Sequence, residues 1–424
     1  MGATAVGYLA IQIAFLSLTP DGWSKFLVLK GENSIQYWDA IHYFNLGQNP
    51  TCSAFYPLWP FLSNKLSGLI TGTASLRIQI LGSEFIFLTT LPIALLTFRR
   101  IIGDRHIALV AFLMYALGAN SIFYSIGYTE SIFSAISLAY LLAFDRYLNG
   151  QRGPIQPLLL SLIFGLSIAG GLTRPSLIQA TFACFFAGLG VFASRSTASY
   201  RPYKSLQALA LTLIGTSIGY AIYGWFCYLK VGNFMGPFKE QVTWGRTLAF
   251  RPWLLITPRS LLIDLHGLYL PALLLLFVAA VYIAHKKEQE LIIHIPAKWQ
   301  FYLLLAHPLL FTIATCATNK QNQKARQLKI ETTGAIQKLK NPVFLYSLAF
   351  SGVHSAINLA ANSGYLYSTS RHFFGSPFAF IAIGTVLATL KSRMATRVTV
   401  AIAASGAVLL GIQWLNWAND KWVG

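Results

Sequence analysis

The chain has 424 residues, of which 55% are hydrophobic and only 11% charged. A soluble domain carries roughly 25% charged residues because its surface faces water, so this composition excludes a water-covered globule and calls for lipid to cover the remainder. The formal charge is +19, from 32 Lys+Arg against 13 Asp+Glu, but the cations sit in short clusters between apolar runs, where a membrane protein keeps them to fix its orientation and hold anionic headgroups.

No basic helix or aromatic-basic platform lies outside those runs, which argues against a nucleic-acid partner. In chain order, apolar runs bounded by basic residues predict helices at 3–19, 78–98, 107–124, 131–147, 155–173, 176–193, 206–229, 267–284, 299–317, 343–361, 376–390 and 398–417. They are too long and too uniformly apolar for barrel strands, so the expected fold is all-α and polytopic, with about 11–12 transmembrane helices. The first run, Ala3 to Leu18, shows no cleavage site and reads as a retained helix. No internal repeat is evident, and residues 1–424 read as a single transmembrane domain. Of Cys52, Cys184, Cys227 and Cys316, three lie in apolar runs and none forms a C-x-x-C pair, so neither a zinc site nor a disulfide framework is expected.

Loop charge predicts the orientation. Arg99, Arg100 and Arg105, then Arg146 and Arg152, then Arg195, Arg201 and Lys204, then Lys286, Lys287 and Lys298 fall on alternate connections. Those connections are expected to be cytoplasmic, placing the N-terminus inside and loop 20–77 outside. Lys320, Lys324, Arg326, Lys329, Lys338 and Lys340, with Lys391, Arg393 and Arg397 further on, break strict alternation. One run between about 286 and 361 is therefore not a full crossing, and 299–317 is the expected exception. Two external loops, 20–77 and 230–266, are long, aromatic and rich in Gly and Pro, a composition suited to interfacial segments with a functional role.

The first of these reads Tyr37-Trp38-Asp39-Ala40-Ile41-His42-Tyr43-Phe44, then Ala54-Phe55-Tyr56-Pro57-Leu58-Trp59-Pro60. A carboxylate among so many aromatics at a membrane surface costs solvation energy unless its charge is used. Asp39 either caps an interfacial helix running to Leu46 or serves a site, and the two roles are compatible. Glu130 at the start of a run favours the helix dipole. His307 and His354, in separate apolar runs, lack metal-like spacing and read as hydrogen-bonded core residues.

Trp38-Asp39-Ala40-x-His42-x-Phe44 followed by Ala54-Phe55-Tyr56-Pro57-x-x-Pro60 resembles the first luminal loop of the PIG-V family, the second mannosyltransferases of GPI-anchor synthesis. Three further segments match in order: Gly127-Tyr128-Thr129-Glu130-Ser131-Ile132-Phe133, Gly165 to Arg174, and Thr369-Ser370-Arg371-His372-Phe373-Phe374-Gly375-Ser376-Pro377. Gln241-Val242-Thr243-Trp244-Gly245-Arg246 is similar to the family's Q-x-x-W-x-x-G segment.

The resemblance implies a glycosyltransferase C-type helical bundle that takes a hexose, by the family mannose, from a polyprenyl or dolichyl phosphate sugar. The acceptor would be a hydroxyl on a lipid-linked or free glycan at the non-cytoplasmic face, with inversion and without a metal or other cofactor. Asp39 would be the catalytic base. Trp38, His42, Glu130, Arg174, Gln241, Trp244, Arg246, Arg371 and His372 would bind substrate, Arg371 holding the donor phosphate. Lys239, Arg251 and Arg259 are further cations of the same loops, and snorkelling to headgroups is the alternative reading of Arg371 and Arg174.

Two departures point away from a GPI precursor as acceptor and toward a prokaryotic relative: residues 47–53 contain no carboxylate, and Arg174-Pro175-Ser176-Leu177 stands where the eukaryotic pattern has R-S-N-G. The membrane would be the plasma membrane in a prokaryote and the endoplasmic reticulum in a eukaryote. A transporter or flippase is the competing class, and it would call for charges in mid-membrane and matched broken helices. A non-catalytic scaffold subunit is a third, in which Asp39 would be replaceable.

Overall fold

The computed structural model describes residues 2–29, 37–150, 153–193, 202–294, 302–303, 306–318, 327–390 and 392–423. Arg152, Arg195, Arg201, Lys298, Lys320, Lys324, Arg326 and Lys391 lie outside the described residues.

The chain is an all-α polytopic membrane protein. In order, the helices are α1 (Gly2–Ser17), α2 (Gly22–Phe26), α3 (Asp39–Gln48), α4 (Leu58–Thr71), α5 (Leu76–Ile102), α6 (Arg105–Leu117), α7 (Glu130–Asn149), α8 (Ile155–Thr173) and α9 (Leu177–Ala193). There follow α10 (Pro202–Val231), α11 (Gly236–Thr243), α12 (Ile263–Lys286), α13 (Pro308–Thr318), α14 (Thr332–Leu339), α15 (Pro342–Ala360), α16 (Thr369–Phe374), α17 (Pro377–Leu387) and α18 (Ser392–Ala418). Among the described residues seven helices are long and apolar enough to cross a membrane, and α1, α6, α9 and α17 are shorter apolar helices. The run predicted at 107–124 divides: α6 stops at Leu117, and a 3-10 turn, Ala119–Tyr124, takes the chain to the site.

In lipid, helices gain little from hiding apolar surface from one another, so close approach through small residues decides which ones pack. Gly215 and Gly219 of α10 face α8 so closely that a Cβ at either would lie 2.7 Å from Phe164 O or 2.5 Å from Ile168 O. The spacing is G-x-x-x-G, and among the described residues it makes α8–α10 the most closely packed helix pair.

Two ends of the bundle differ in character. At one end Arg100 pairs with Asp145, Lys204 Nζ donates to Gly150 O at 3.0 Å, and Lys338 Nζ donates to Ala388 O at 2.8 Å. At the other lie both long loops, where Lys25 Nζ reaches Trp417 O and Asp420 Oδ1, each at 2.6 Å, tying the two termini together. Loop 20–77 carries α2, α3 and α4, as interfacial helices were expected to.

Two short antiparallel ladders, β1 (Thr247–Leu248) with β4 (Ala361–Asn362) and β2 (Leu291–His294) with β3 (Gln327–Ile330), fix the rest. Because β2 pairs with β3, Lys286, Lys287, Lys329, Lys338 and Lys340 lie toward the same, basic end of the bundle, while His307 bonds Ile256 O at the site end, 2.9 Å away. The run expected at 299–317 lies partly outside the described residues.

One sequence expectation is overturned: Cys52 and Cys227 form a disulfide across 175 positions. Nothing in their spacing signals it, because the bundle brings loop 20–77 over the end of α10. Cys184 is a buried free thiol.

Candidate functional site

Asp39 is the first residue of α3, and Trp38 before it has a positive φ of 52°, a costly conformation for a bulky residue. The Trp38 ring rests edge-on against Trp422, centroids 4.8 Å apart, which helps to hold the turn. The helix has no side-chain cap, so Asp39 does not play the capping role that its position suggests. Its backbone N–H donates to Tyr128 Oη at 3.3 Å, and its Oδ2 accepts from Arg371 Nη1 at 2.6 Å. Oδ1 has no hydrogen bond among the described residues, and the side chain is 20% exposed.

Arg371 stands at the centre. Its Nε donates to Glu130 Oε1 at 2.5 Å, and its guanidinium lies 4.3 Å from the Tyr128 ring centroid and 5.1 Å from that of Phe123. Burial works against its charge, but Glu130 and Asp39 outweigh it and hold the guanidinium firmly protonated. Glu130 is fully buried, and Arg174 Nη1 lies 3.3 Å from the same Oε1 that Arg371 bonds. It is therefore placed to hold both arginines.

Arg174 Nη2 in turn donates to His372 Nδ1 at 2.8 Å. A guanidinium can only donate, so His372 Nδ1 accepts and its proton sits on Nε2. Burial, with His354 and three arginines nearby, pushes the His372 imidazole well below its ordinary range and keeps it neutral. His354 stacks on it, centroids 4.8 Å apart and planes 11° apart, so His354 belongs to the edge of this cluster rather than to a plain helix core.

A residue that the sequence did not single out positions Arg371. Asp264, fully buried at the start of α12, accepts from Ser370 N and Ser370 Oγ, both at 2.8 Å, and from Ser260 Oγ at 2.5 Å. Gly267 lets α16 come this close, since a Cβ there would lie 2.8 Å from Ser370 N. Ser368, with φ of 58°, turns the chain into α16. The only hint in the sequence is a carboxylate opening an apolar run.

Around the mouth His42 stacks on Phe55 at 5.2 Å and meets the edge of Trp244 at 5.0 Å, with Tyr43 edge-on to Phe55 at 4.9 Å. Burial, opposed by Arg371 and Arg174 and joined by Glu130 and Asp39, pushes the Tyr43 hydroxyl up to about 12, so it stays neutral. The disulfide anchors the strand of loop that carries Phe55. Arg246 Nη1 donates to Asn358 Oδ1 at 3.3 Å, and Gln241 is half-buried on α11. Arg251 is tied to Asn362 Oδ1 at 3.2 Å, Arg259 lies over Trp253 at 5.4 Å, and Lys239 is exposed. Of the residues expected from sequence, Asp39, Glu130, Arg174, Arg371 and His372 form one bonded cluster. Trp38 flanks it, His42 and Trp244 line the mouth, and Arg246 stands on α15's side. Among the described residues no group of three or more His, Cys, Asp or Glu is placed to hold a metal ion.

The fold and site thus define a multi-pass helical membrane protein with a buried carboxylate–arginine cluster at the end opposite its basic loops. No protein-family model matches the chain, and no curated protein matches it. Among solved structures it is similar to the Archaeoglobus fulgidus oligosaccharyltransferase tethered to an acceptor peptide, with a TM-score of 0.41 and 14% identity over 98% of this chain and 55% of that one. The archaeal oligosaccharyltransferase AglB with an inhibitory peptide and a dolichol-phosphate gives a TM-score of 0.41 and 13% identity, over 96% and 56%. The chain spans about half the length of these structures. Overlays this loose leave the activity to be read from the site's own residues.

Proposed function

We propose that the protein is an inverting glycosyltransferase that moves a hexose, by its resemblance mannose, from a polyprenyl or dolichyl phosphate to a hydroxyl acceptor. The observation that carries this reading is the convergence of four separate motifs. Trp38-Asp39, Tyr128-Glu130, Arg174 and Arg371-His372 meet in one bonded cluster. Independent helix-end snorkelling would leave each of them facing headgroups alone.

The acceptor hydroxyl oxygen forms its bond to the anomeric carbon while the bond from that carbon to the phosphate oxygen breaks. The electron pair leaves on the phosphate, and the hydroxyl proton passes to Asp39 Oδ1, the oxygen that Arg371 does not occupy. Arg371 fixes the carboxylate's direction, so that the base is aimed before substrate arrives. No step calls for a metal. Basic loops gather at the opposite end, so the site faces the non-cytoplasmic side, and a disulfide at the site end fits an oxidising compartment.

The transporter reading would put the charges at mid-membrane; here they gather at one end. Purified protein incubated with radiolabelled polyprenyl-phosphate mannose and a membrane lipid or glycan extract should transfer or slowly hydrolyse the sugar. Binding without either reaction, and with label appearing across a sealed vesicle, would favour the flippase instead.

A further inference from the structure

The family resemblance implies donor-phosphate binding by Arg371, but Arg371 is 4% exposed and already shared between two carboxylates. Arg174 likewise faces Glu130 and His372. Arg246 differs. It is half-buried, it acts electrostatically on His372 and is itself acted on by Asp39, and among the described residues no carboxylate forms an ion pair with it. Its only side-chain hydrogen bond there is to Asn358 Oδ1.

The charges do not balance. Three arginines, Arg174, Arg246 and Arg371, stand against two carboxylates: Asp39 pairs with Arg371, and Glu130 with Arg371 and Arg174. One positive charge, that of half-buried Arg246, is left without a carboxylate partner among the described residues. A second feature lies at the same place. Asn358 is 4% exposed, and its Nδ2, an amide with two N–H donors, is buried without a partner. One turn back along α15, His354 stacks on His372, whose Nε2–H is the proton left by the bond to Arg174. The β1–β4 ladder, pairing Thr247 with Asn362, fixes Arg246 against the end of α15. A guanidinium fork, an orphaned amide and an imidazole N–H, all donors, are thus linked through Asn358, His354 and His372 on neighbouring turns. An anion with several oxygens is a ligand that matches both their donors and the surplus charge.

We propose that Arg246, Asn358 Nδ2 and His372 Nε2 form an anion subsite that receives the phosphate of a lipid-linked substrate, and that Arg371 is a positioning residue for Asp39. The assignment rests on the transferase reading above for its choice of phosphate. It places positive charge where the leaving phosphate gains negative charge, and it separates binding the leaving group from aiming the base.

The test uses the full chain in phosphatidylcholine nanodiscs and measures affinity for a short-chain polyprenyl monophosphate, with the matching polyprenol and inorganic phosphate as probes. Wild type should bind the monophosphate well over tenfold more tightly than the polyprenol, with inorganic phosphate competing at high concentration. Arg246→Gln should weaken binding by about 10- to 100-fold, the usual effect of losing a charge-assisted contact, and Arg246→Lys should recover part of it.

Asn358→Asp keeps the acceptor that Arg246 uses but turns the orphaned donor into an anion. A merely structural Asn358 predicts a more stable protein with unchanged affinity, whereas the subsite predicts at least equal stability and lost affinity. Full affinity in Arg246→Gln or in Asn358→Asp would overturn the subsite. So would protection by phosphatidylglycerol nanodiscs without any effect of the polyprenyl monophosphate, which would make this a headgroup site. None of these readouts uses turnover, so the transfer assay on Asp39 variants judges the transferase reading separately.

Discussion

Arg371 Nη1 lies 2.6 Å from Asp39 Oδ2 although 332 positions separate the two residues. One belongs to an interfacial helix before the first long span, and the other to a short helix between the last two. The site therefore exists only when the bundle is complete. The arginine also touches Glu130, so the three residues link loop 20–77, α7 and α16 in a single chain of charge. Each side chain's cost of burial is offset only by the presence of the others.

Arg371→Ala should accordingly be a folding defect before it is a binding defect. It leaves fully buried Glu130 with Arg174 alone and Asp39 unguided. Breaking a buried pair by removing one partner costs about 3–5 kcal/mol, so the melting temperature in detergent should fall by several degrees or more. Arg371→Lys should restore only part of this, because one ammonium cannot span both carboxylates in the way that the fork does. A melting temperature for Arg371→Ala equal to that of wild type would show that the cluster contributes nothing to the fold.

Much of this site could be read along the chain, though chiefly through the resemblance. Charges flanking apolar runs mark Trp38-Asp39, Glu130, Arg174 and Arg371-His372 as costly, yet capping, the helix dipole and snorkelling each explain one of them, and it is the four resembling segments in order that join them in one site. The helices were plainer, since a span of about 20 apolar residues has no other stable state in lipid. Asp264 and Asn358 stayed hidden because each acts through a partner that only the tertiary fold supplies: Ser370, 106 positions away, and Arg246, 112 positions away. The disulfide was invisible for the same reason, with Cys227 looking like one more apolar residue of α10. Asp39 looked like a helix cap because a local rule fits its position, and a long-range ion pair overrode that rule.

The disulfide sharpens the test of topology. With Cys52 paired to Cys227, a cysteine placed at exposed Asn49 should be the reactive thiol of that loop. It should react with an impermeant maleimide in intact cells or right-side-out vesicles. Labelling of Asn49→Cys only after permeabilisation would reverse the orientation and remove the donor argument with it. In the parent protein the same reagent should label Cys52 and Cys227 only after reduction.

Acid should weaken the fold through His372. Its folded-state pKa lies well below the ordinary value of 6.5, because burial and the surrounding arginines disfavour the imidazolium. The unfolded chain therefore takes up a proton as pH falls below about 6.5 while the folded chain does not, and stability that is full above that value is progressively lost below it. The melting temperature should thus drop from pH 7 toward pH 5, and His372→Gln, which can still accept from Arg174, should flatten that slope. An identical slope in the variant would locate the acid sensitivity elsewhere.

The decisive variant is Asp39→Asn. A positioned base contributes about 10²–10⁴-fold in rate, and the amide cannot accept the acceptor's proton, so turnover should fall by that much. Folding should survive better than in Arg371→Ala. Asp39 is 20% exposed, its helix does not depend on it for capping, and Asn can still offer an oxygen to Arg371 while Glu130 keeps the guanidinium in place. Affinity for a polyprenyl monophosphate should be retained, since the phosphate contacts lie on Arg246, Asn358 and His372. Asp39→Glu should rescue weakly: one extra methylene moves the carboxylate by about 1 Å, enough to cost roughly 10²-fold, and Arg371 cannot follow because Glu130 holds its guanidinium and Asp264 holds the preceding residue, Ser370. A stable, donor-binding, inactive Asp39→Asn is the expected outcome. Wild-type transfer by that variant would leave the cluster without a base, because Glu130, fully buried and bonded to two arginines, cannot reach an acceptor hydroxyl.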